Sequence, residues 1–292
     1  MARQEIKLGD YVINEVSFPY IIAEIGINHN GDLQIAKKLI DAANACLWNC
    51  VKFQKRTPDI AVPETQKNVM RDTPWGEITY LEYKKKIEFD KKEYDYIDKY
   101  CKEKPIGWSA SPWDIPSLEF LLEYDLPFIK IASASNTNKE ILKLACESGK
   151  PLLVSTGMST LKETDELVEF LEKYSDGRYI LLHTNSTYPT PPDELNLRMI
   201  TTLRERYQCL VGYSGHEIDL EPSVIATSLG AKVIERHVTL DHNMWGTDHR
   251  ASLQVEGMAM LYGRMKEVLT MLGDGKKTVT ESELKVRGKL RG

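Results

Sequence analysis

Short apolar runs, many of them β-branched, recur along the chain, and segments with apolar positions spaced three and four apart separate them. The runs cover residues 20–25, 50–53, 107–111, 128–131, 152–155, 179–183, 210–213 and 233–237. The helical periods cover residues 33–45, 91–102, 115–123, 139–148, 161–174, 197–206, 222–229 and 255–272. Several helices carry start signals: Ser159-Thr160 precedes Leu161 with Glu163 close behind, and Pro222 falls near a first turn. The strands and helices alternate strictly, eight of each. Strand runs that are apolar throughout predict a parallel sheet covered on both faces. The pattern therefore predicts an α/β protein, a (β/α)8 TIM barrel rather than an open doubly wound sheet.

Three segments fall outside the alternation. Residues 5–8 and 11–13 flank Gly9-Asp10 and read as a hairpin that could plug one end of the barrel. The stretch from Gln54 to about Lys86 is long for a βα loop; with Pro63, Pro74 and Trp75 it is expected to form a lid or rim. The end of the chain, rich in Gly, Lys and Glu, is expected to be a surface extension. The expected division is an N-terminal hairpin (1–18), a barrel (19–275) and a tail (276–292).

Composition narrows the function classes. The 292 residues are 42% hydrophobic, enough for one barrel or two small domains. A net charge of −5, with dispersed basic residues, argues against nucleic acid as the main partner. No apolar stretch reaches the ~20 residues of a membrane span, and the first residues lack a signal-peptide core. Five cysteines (46, 50, 101, 146 and 209) are odd in number and lack metal-binding spacing, which favours reduced thiols and a cytoplasmic protein.

In a barrel the site forms at the C-terminal ends of the strands. Those ends carry Glu24, Lys52 with Gln54, Ser111, Lys130 with Ser133, Ser155, His183, Tyr213 with His216, and His237. Structural demands explain one such residue more easily than all of them together. Lys52 and Lys130 sit between strand-forming apolar residues, and lysines are almost never fully buried alone. Three readings follow: an internal ion pair with Glu24; an anion site in which both lysines and the hydroxyls of Ser133, Ser155 and Ser186 hold a phosphate and a carboxylate; or a Schiff-base lysine. His216 and His237 end neighbouring strands, where two imidazoles could share one divalent metal, with Asp248 and Glu217 as nearby oxygen candidates. Each is equally readable as a hydrogen-bonded structural histidine. Tyr188, in Tyr-Pro-Thr-Pro-Pro, is a rim phenol or a turn anchor. His29 and Asn30 are substrate contacts or a simple turn. Trp245 could wall a pocket or pack the rim, and His242 and His249 are expected at the surface.

Taken in order, these segments resemble the sialic acid synthase family, the N-acetylneuraminate synthases that condense phosphoenolpyruvate with an amino sugar. The matching stretches are Ala23-Glu-Ile-Gly-Ile-Asn-His-Asn-Gly31, Val51-Lys-Phe-Gln54, Lys130-Ile-Ala-Ser133, Ser155-Thr-Gly-Met158, Tyr188-Pro-Thr-Pro191, Gly212-Tyr-Ser-Gly-His216 and Ile234-Glu-Arg-His-Val-Thr-Leu-Asp241. The resemblance implies a (β/α)8 barrel with a divalent metal, Mn2+ or Mg2+, on His216 and His237. It implies that Lys52, Lys130, Ser133, Ser155 and Ser186 hold phosphoenolpyruvate, while Glu24, Gln54, Tyr188 and Asp248 face the sugar or a metal-bound water. The partners implied are phosphoenolpyruvate and a small sugar, N-acetylmannosamine or a relative, with a homodimer possible. The alternatives are a Schiff-base aldolase and a non-catalytic barrel that binds sugar or phosphoenolpyruvate.

The sequence departs from the family in three places. Ser135 stands where the family has a glutamate, and is carried as a substrate-side residue. Ser214-Gly-His-Glu217 replaces Ser-Asp-His-Thr. The family's small C-terminal antifreeze-like domain, which donates an arginine to the partner subunit's sugar site, is expected to be lacking.

Overall fold

Each predicted apolar run forms a strand, and all eight join one parallel sheet. The computed structural model describes residues 5–291. Its strands are β1 (Ile6–Leu8), β2 (Tyr11–Ile13), β3 (Tyr20–Gly26), β4 (Cys50–Lys55), β5 (Met70–Thr73), β6 (Gly76–Thr79), β7 (Gly107–Pro112), β8 (Ile129–Ile131), β9 (Leu152–Ser155), β10 (Tyr179–Thr184), β11 (Val211–Gly215) and β12 (Val233–His237). The large sheet runs β7-β4-β3-β12-β11-β10-β9-β8 and curls into a barrel wrapped by helices. No ladder joins β7 to β8 among the described residues; at that seam Ser109 Oγ donates to the Phe128 carbonyl at 2.7 Å.

The helices follow their local signals. Thr160 and Glu163 form a reciprocal capping box at the start of Leu161–Tyr174, satisfying two otherwise orphaned N–H groups. Asp32 caps Leu33–Ala45 by accepting from the Gln34 N–H at 2.6 Å. The alternation is less strict than predicted, because the insertion after β4 is itself folded. It contains Pro58–Ala61, Glu64–Lys67, the β5–β6 hairpin and the helix Tyr80–Ile87. Tyr83 of that helix meets Trp245 edge-on at 5.0 Å, so the insertion packs against the loop after β12. Ile27 and Ile87 lie in the same apolar cluster, which ties this segment to the rim. The final helix, Glu281–Leu290, is exposed along its length.

Strand side chains alternate between the two faces, and the inward set changes character along the barrel axis. At the N-terminal end Tyr20, Ile22, Cys50, Phe128, Leu153, Ile180, Leu182, Leu210 and Val233 form one buried cluster. Ile6, Leu8 and Ile13 of the hairpin belong to that cluster, so the hairpin plugs the floor as the sequence suggested. Two residues further on, the same inward positions are Glu24, Lys52, Lys130, Ser155, Thr184 and Glu235, all buried. The outward set, including Ile21, Ala23, Ile25, Val51, Phe53, Leu181 and Ile234, packs under the helices.

Candidate functional site

The polar tier opens into a cavity of about 230 Å³ at the C-terminal ends of the strands. Its lining includes Glu24, Lys52, Gln54, Lys130, Ser133, Ser155, Ser186, Tyr188, His216 and His237. Ten of the twelve site residues drawn from the sequence thus converge on one space.

The cations stand on one side. Lys52 Nζ lies 2.6 Å from Glu24 Oε2 and donates to Ser111 Oγ at 2.9 Å. Lys130 Nζ donates to Ser155 Oγ at 2.7 Å. Glu235 lies between the two ammonium groups, 3.9 Å from Lys52 and 3.8 Å from Lys130. Burial pulls both lysines toward the neutral amine. In Lys52 the attraction of Glu235 and Glu24 outweighs burial and holds the pKa above the ordinary value. In Lys130 burial wins over Glu235, and the pKa falls to about 8. Burial opposes ionisation of Glu235 too, but Lys130 and Lys52 overcome it and keep the carboxylate charged.

Hydroxyl groups complete this wall. Thr184 Oγ1 donates to Ser155 Oγ at 3.2 Å. Ser133 Oγ is buried without a hydrogen-bond partner, although burying a polar group unpaired is unfavourable. Gly157 explains how Ser133 and Ser186 meet: a Cβ there would lie 2.6 Å from Ser133 Oγ and 2.5 Å from Ser186 Oγ. Two ammonium groups and unused hydroxyls around one space are suited to an anion.

The imidazoles form the facing wall. His216 Nδ1 donates to the Asn185 carbonyl at 2.5 Å, which leaves Nε2 as the basic nitrogen; Nε2 accepts from Tyr188 OH at 2.7 Å. Burial, then repulsion from His237, pushes the His216 pKa down to about 3, so the ring is neutral at pH 7. The two rings lie 5.5 Å apart between centroids, and His237 Nδ1 is buried without a hydrogen bond, 3.9 Å from Asp248 Oδ2. Adjacent imidazoles, one neutral and one with an unpartnered nitrogen, fit a divalent cation whose remaining positions are open. Among the described residues no group of three His, Cys, Asp or Glu side chains is placed to hold a metal alone.

Gln54 links the carboxylate to the rim. Its Nε2 donates to Glu24 Oε1 at 3.2 Å, and its Oε1 accepts from Arg56. A Cβ at Gly26 would lie within 3.3 Å of Glu24, Gln54 and His237, so the absence of a side chain there lets the three come together.

Other expected residues lie elsewhere. Ser135 is buried in the short 3-10 turn after β8, outside the cavity lining, and Asp248 stands behind His237. His183 and Tyr213 end their runs but face outward: His183 Nε2 bonds the Leu195 carbonyl, and Tyr213 OH donates to Glu217. Glu217 is no oxygen donor to the cavity, because it pairs with Arg236 at 2.9 Å in the outer layer. His29 stacks on Phe89 at 3.9 Å inside the turn. His249 is fully buried against Thr239 Oγ1 rather than at the surface, because the loop after β12 folds back over it; His242 is exposed. The sequence reading overlooked Glu235, Thr184, Ser214 and Trp113 in the lining. Strand alternation signals the first three, since Glu235 and Ser214 each stand two residues before a site histidine and Thr184 two after Leu182.

Fold and site together define a (β/α)8 barrel whose mouth is walled by two lysines, by hydroxyl groups and by two imidazoles. Residues 39–277 match the NeuB family, and the chain belongs to it. It is 41% identical over 247 residues to the N-acetylneuraminate-9-phosphate synthase of Drosophila melanogaster, a match covering 83% of this chain and 66% of that protein. It is 37% identical to the N,N'-diacetyllegionaminic acid synthase of Campylobacter jejuni, over 91% of this chain and 80% of that protein. Among solved structures, the N-acetylneuraminic acid synthetase of Leptospira borgpetersenii, crystallised with citrate, superposes with a TM-score of 0.88 at 32% identity, covering 99% of this chain and 98% of that one.

Proposed function

We propose that this barrel condenses phosphoenolpyruvate with an open-chain amino sugar, giving a sialic-acid-like 3-deoxy-2-ulosonic acid and inorganic phosphate. One observation carries the reading: Lys52 and Lys130 enter the same cavity as His216 and His237. A three-carbon dianion on the lysine wall would then face an aldehyde held at the imidazole wall. Membership in a family whose relatives are named as sialic and legionaminic acid synthases supports it.

Lys52 and Lys130 neutralise the carboxylate and phosphate of the donor, and Ser133, Ser155 and Ser186 supply hydroxyls to the remaining anionic oxygens. This positioning turns a bimolecular encounter into a local one. C3 of phosphoenolpyruvate forms a bond to the aldehyde carbon, whose oxygen takes a proton. Positive charge develops at C2, and Glu24 stabilises it and orients the water that adds there. The C2–O bond to phosphate then breaks, and the C2 hydroxyl gives up its proton to become the ketone. Water supplies the oxygen that remains, so the reaction balances as donor plus aldose plus water. His216 and His237 would hold Mn2+ or Mg2+; a bound divalent cation supplies Lewis acidity at the aldehyde oxygen. Tyr188, hydrogen-bonded to His216, bounds the acceptor's side of the cavity.

Phosphate release from phosphoenolpyruvate, followed across a panel of aldoses with manganese, tests the reaction. Release that requires an aldose and yields a 2-ulosonic acid supports it; absence of release with every sugar overturns it. The lowered pKa of Lys130 also suits a Schiff-base nucleophile. Borohydride trapping of a carbonyl substrate on Lys130 would select that second reading, because the condensation forms no imine.

A further inference from the structure

Several residues lining the cavity carry a buried polar atom without a hydrogen-bond partner, among them Ser133 Oγ, His237 Nδ1 and Trp113 Nε1. Ser133 serves the donor and His237 the cation in the reaction proposed above, but Trp113 has no part in it. An indole N–H donates and cannot accept, and one that is buried usually finds a partner. Trp113 follows β7 and continues its inward alternation. In the β4–β7 ladder Lys52 pairs with Ser109 and Gln54 with Ser111. The backbone N–H of Trp113 donates to the Lys55 carbonyl at 3.0 Å, so its side chain stands one tier above Ser111 and two above Lys52, toward the mouth. Arg56, 4% exposed, covers the indole with its guanidinium carbon 4.8 Å from the ring centroid. The same guanidinium donates to Gln54 and lies 3.8 Å from Glu88, so the group that seats the ring is itself fixed.

We propose that Trp113 is a specificity-determining contact for the acceptor, its indole N–H donating to a neutral oxygen of the sugar, an N-acyl carbonyl or a hydroxyl. The inference rests on the condensation reading and assigns a residue to the acceptor half of it. Height in the barrel carries the assignment. Lys52 and Lys130 match the donor's anions in the lower tier, and Trp113 borders the space above them. Its N–H is an uncharged donor, and Arg56 beside it is already engaged by Glu88 and Gln54, so the position suits an uncharged group. A buried N–H left unpaired is unfavourable, so a sugar that supplies the oxygen is favoured over one that does not.

Nuclear magnetic resonance of the protein carrying tryptophan labelled with 15N on the indole nitrogen tests the contact. The chain has five tryptophans, and Trp113→Phe, which keeps an aromatic ring beside Arg56, assigns the Trp113 signal by its loss. Thermal unfolding checks that the variant folds. N-acetylmannosaminitol and mannitol serve as probes, because these reduced sugars lack the aldehyde and cannot react. The Trp113 indole proton should move downfield when an alditol joins phosphoenolpyruvate, and stay in place with phosphoenolpyruvate alone. Trp113→Phe should weaken the alditol by about 5-fold and leave phosphoenolpyruvate affinity as it was. Weakening of N-acetylmannosaminitol alone assigns the bond to the N-acyl carbonyl, and weakening of both alditols assigns it to a hydroxyl; either supports the contact. A signal unmoved by both alditols, a signal moved by phosphoenolpyruvate alone, or equal weakening of phosphoenolpyruvate and alditol overturns it. Phosphate release with aldoses but no indole shift removes the contact and leaves the condensation intact. An indole shift with no release from phosphoenolpyruvate and any aldose keeps the contact and removes the condensation.

Discussion

Glu235 Oε1 stands 3.8 Å from Lys130 Nζ, and this separation sets the charge of a buried cation in the cavity. With Glu235 in place, Lys130 titrates near 8 instead of its ordinary 10.5. The protonated form attracts a dianionic donor, so phosphoenolpyruvate affinity of the metal-free protein should fall as pH rises through about 8. Glu235→Gln removes the attraction while burial remains, and should move that fall to lower pH. Calorimetric titrations across the range would show it; coincident profiles would remove Glu235 from the role. Stability changes with the opposite sense. Between about 8 and 10.5 the unfolded chain holds a proton on Lys130 that the folded one has released, so this group makes stability rise with pH there.

Glu24 and Lys52, 2.6 Å apart, form a buried ion pair. Removing one partner of such a pair leaves an uncompensated charge and typically costs about 3–5 kcal/mol. Glu235, at 3.9 Å, partly screens the loss, so Glu24→Ala should fall at the lower end of that range in chemical denaturation. Glu24→Gln keeps the shape and should lower phosphate release by about 100-fold or more, as expected for loss of a positioned proton-handling group. Near-normal turnover in Glu24→Gln would dismiss it from the chemistry.

Gly157→Ala places a methyl group 2.5 Å from Ser186 Oγ and 2.6 Å from Ser133 Oγ. Hydroxyls can rotate aside, so folding should change little, whereas KM for phosphoenolpyruvate should rise by about 10-fold or more as charge-assisted hydrogen bonds are lost. An unchanged KM would mean that these two hydroxyls do not hold the donor.

Chelation should abolish turnover, and manganese should restore it. Binding can be read without turnover from the electron paramagnetic resonance of added Mn2+, which His216→Ala and His237→Ala should each weaken strongly. Phosphate release that persists in excess chelator would separate the reaction from any metal.

Most of the barrel was legible because a continuously apolar strand followed by an amphipathic helix has few other ways to bury its surface. The site was legible less evenly. Lys52 and Lys130 stood out as charges inside apolar runs, and Glu24 as a carboxylate at the tip of one. Glu235 did not, because Arg236 beside it made the segment read as a polar motif, and only alternation separates the inward carboxylate from the outward guanidinium. The end-of-run rule chose His183 over Thr184 for the same reason, since a shift of one residue exchanges the two faces. Lys84 read as one member of the basic run Lys84-Lys85-Lys86. Its burial follows from helix phase, for Tyr80, Tyr83, Lys84 and Ile87 fall three and four positions apart on one side. Which loop covers that side is a matter of long-range packing, and Trp245, more than 150 residues away in sequence, supplies the cover.

Among the described residues, the hairpin stoppers the barrel floor and leaves the mouth at the strands' C-terminal ends as the way in. A molecule seated deep against Lys52 and Lys130 must arrive before one that fills the rim, and the later arrival must clear the threshold first. If the proposed condensation holds, closure at the base predicts compulsory-order kinetics with the deeper reactant leading, and product-inhibition patterns that fit random order would count against it.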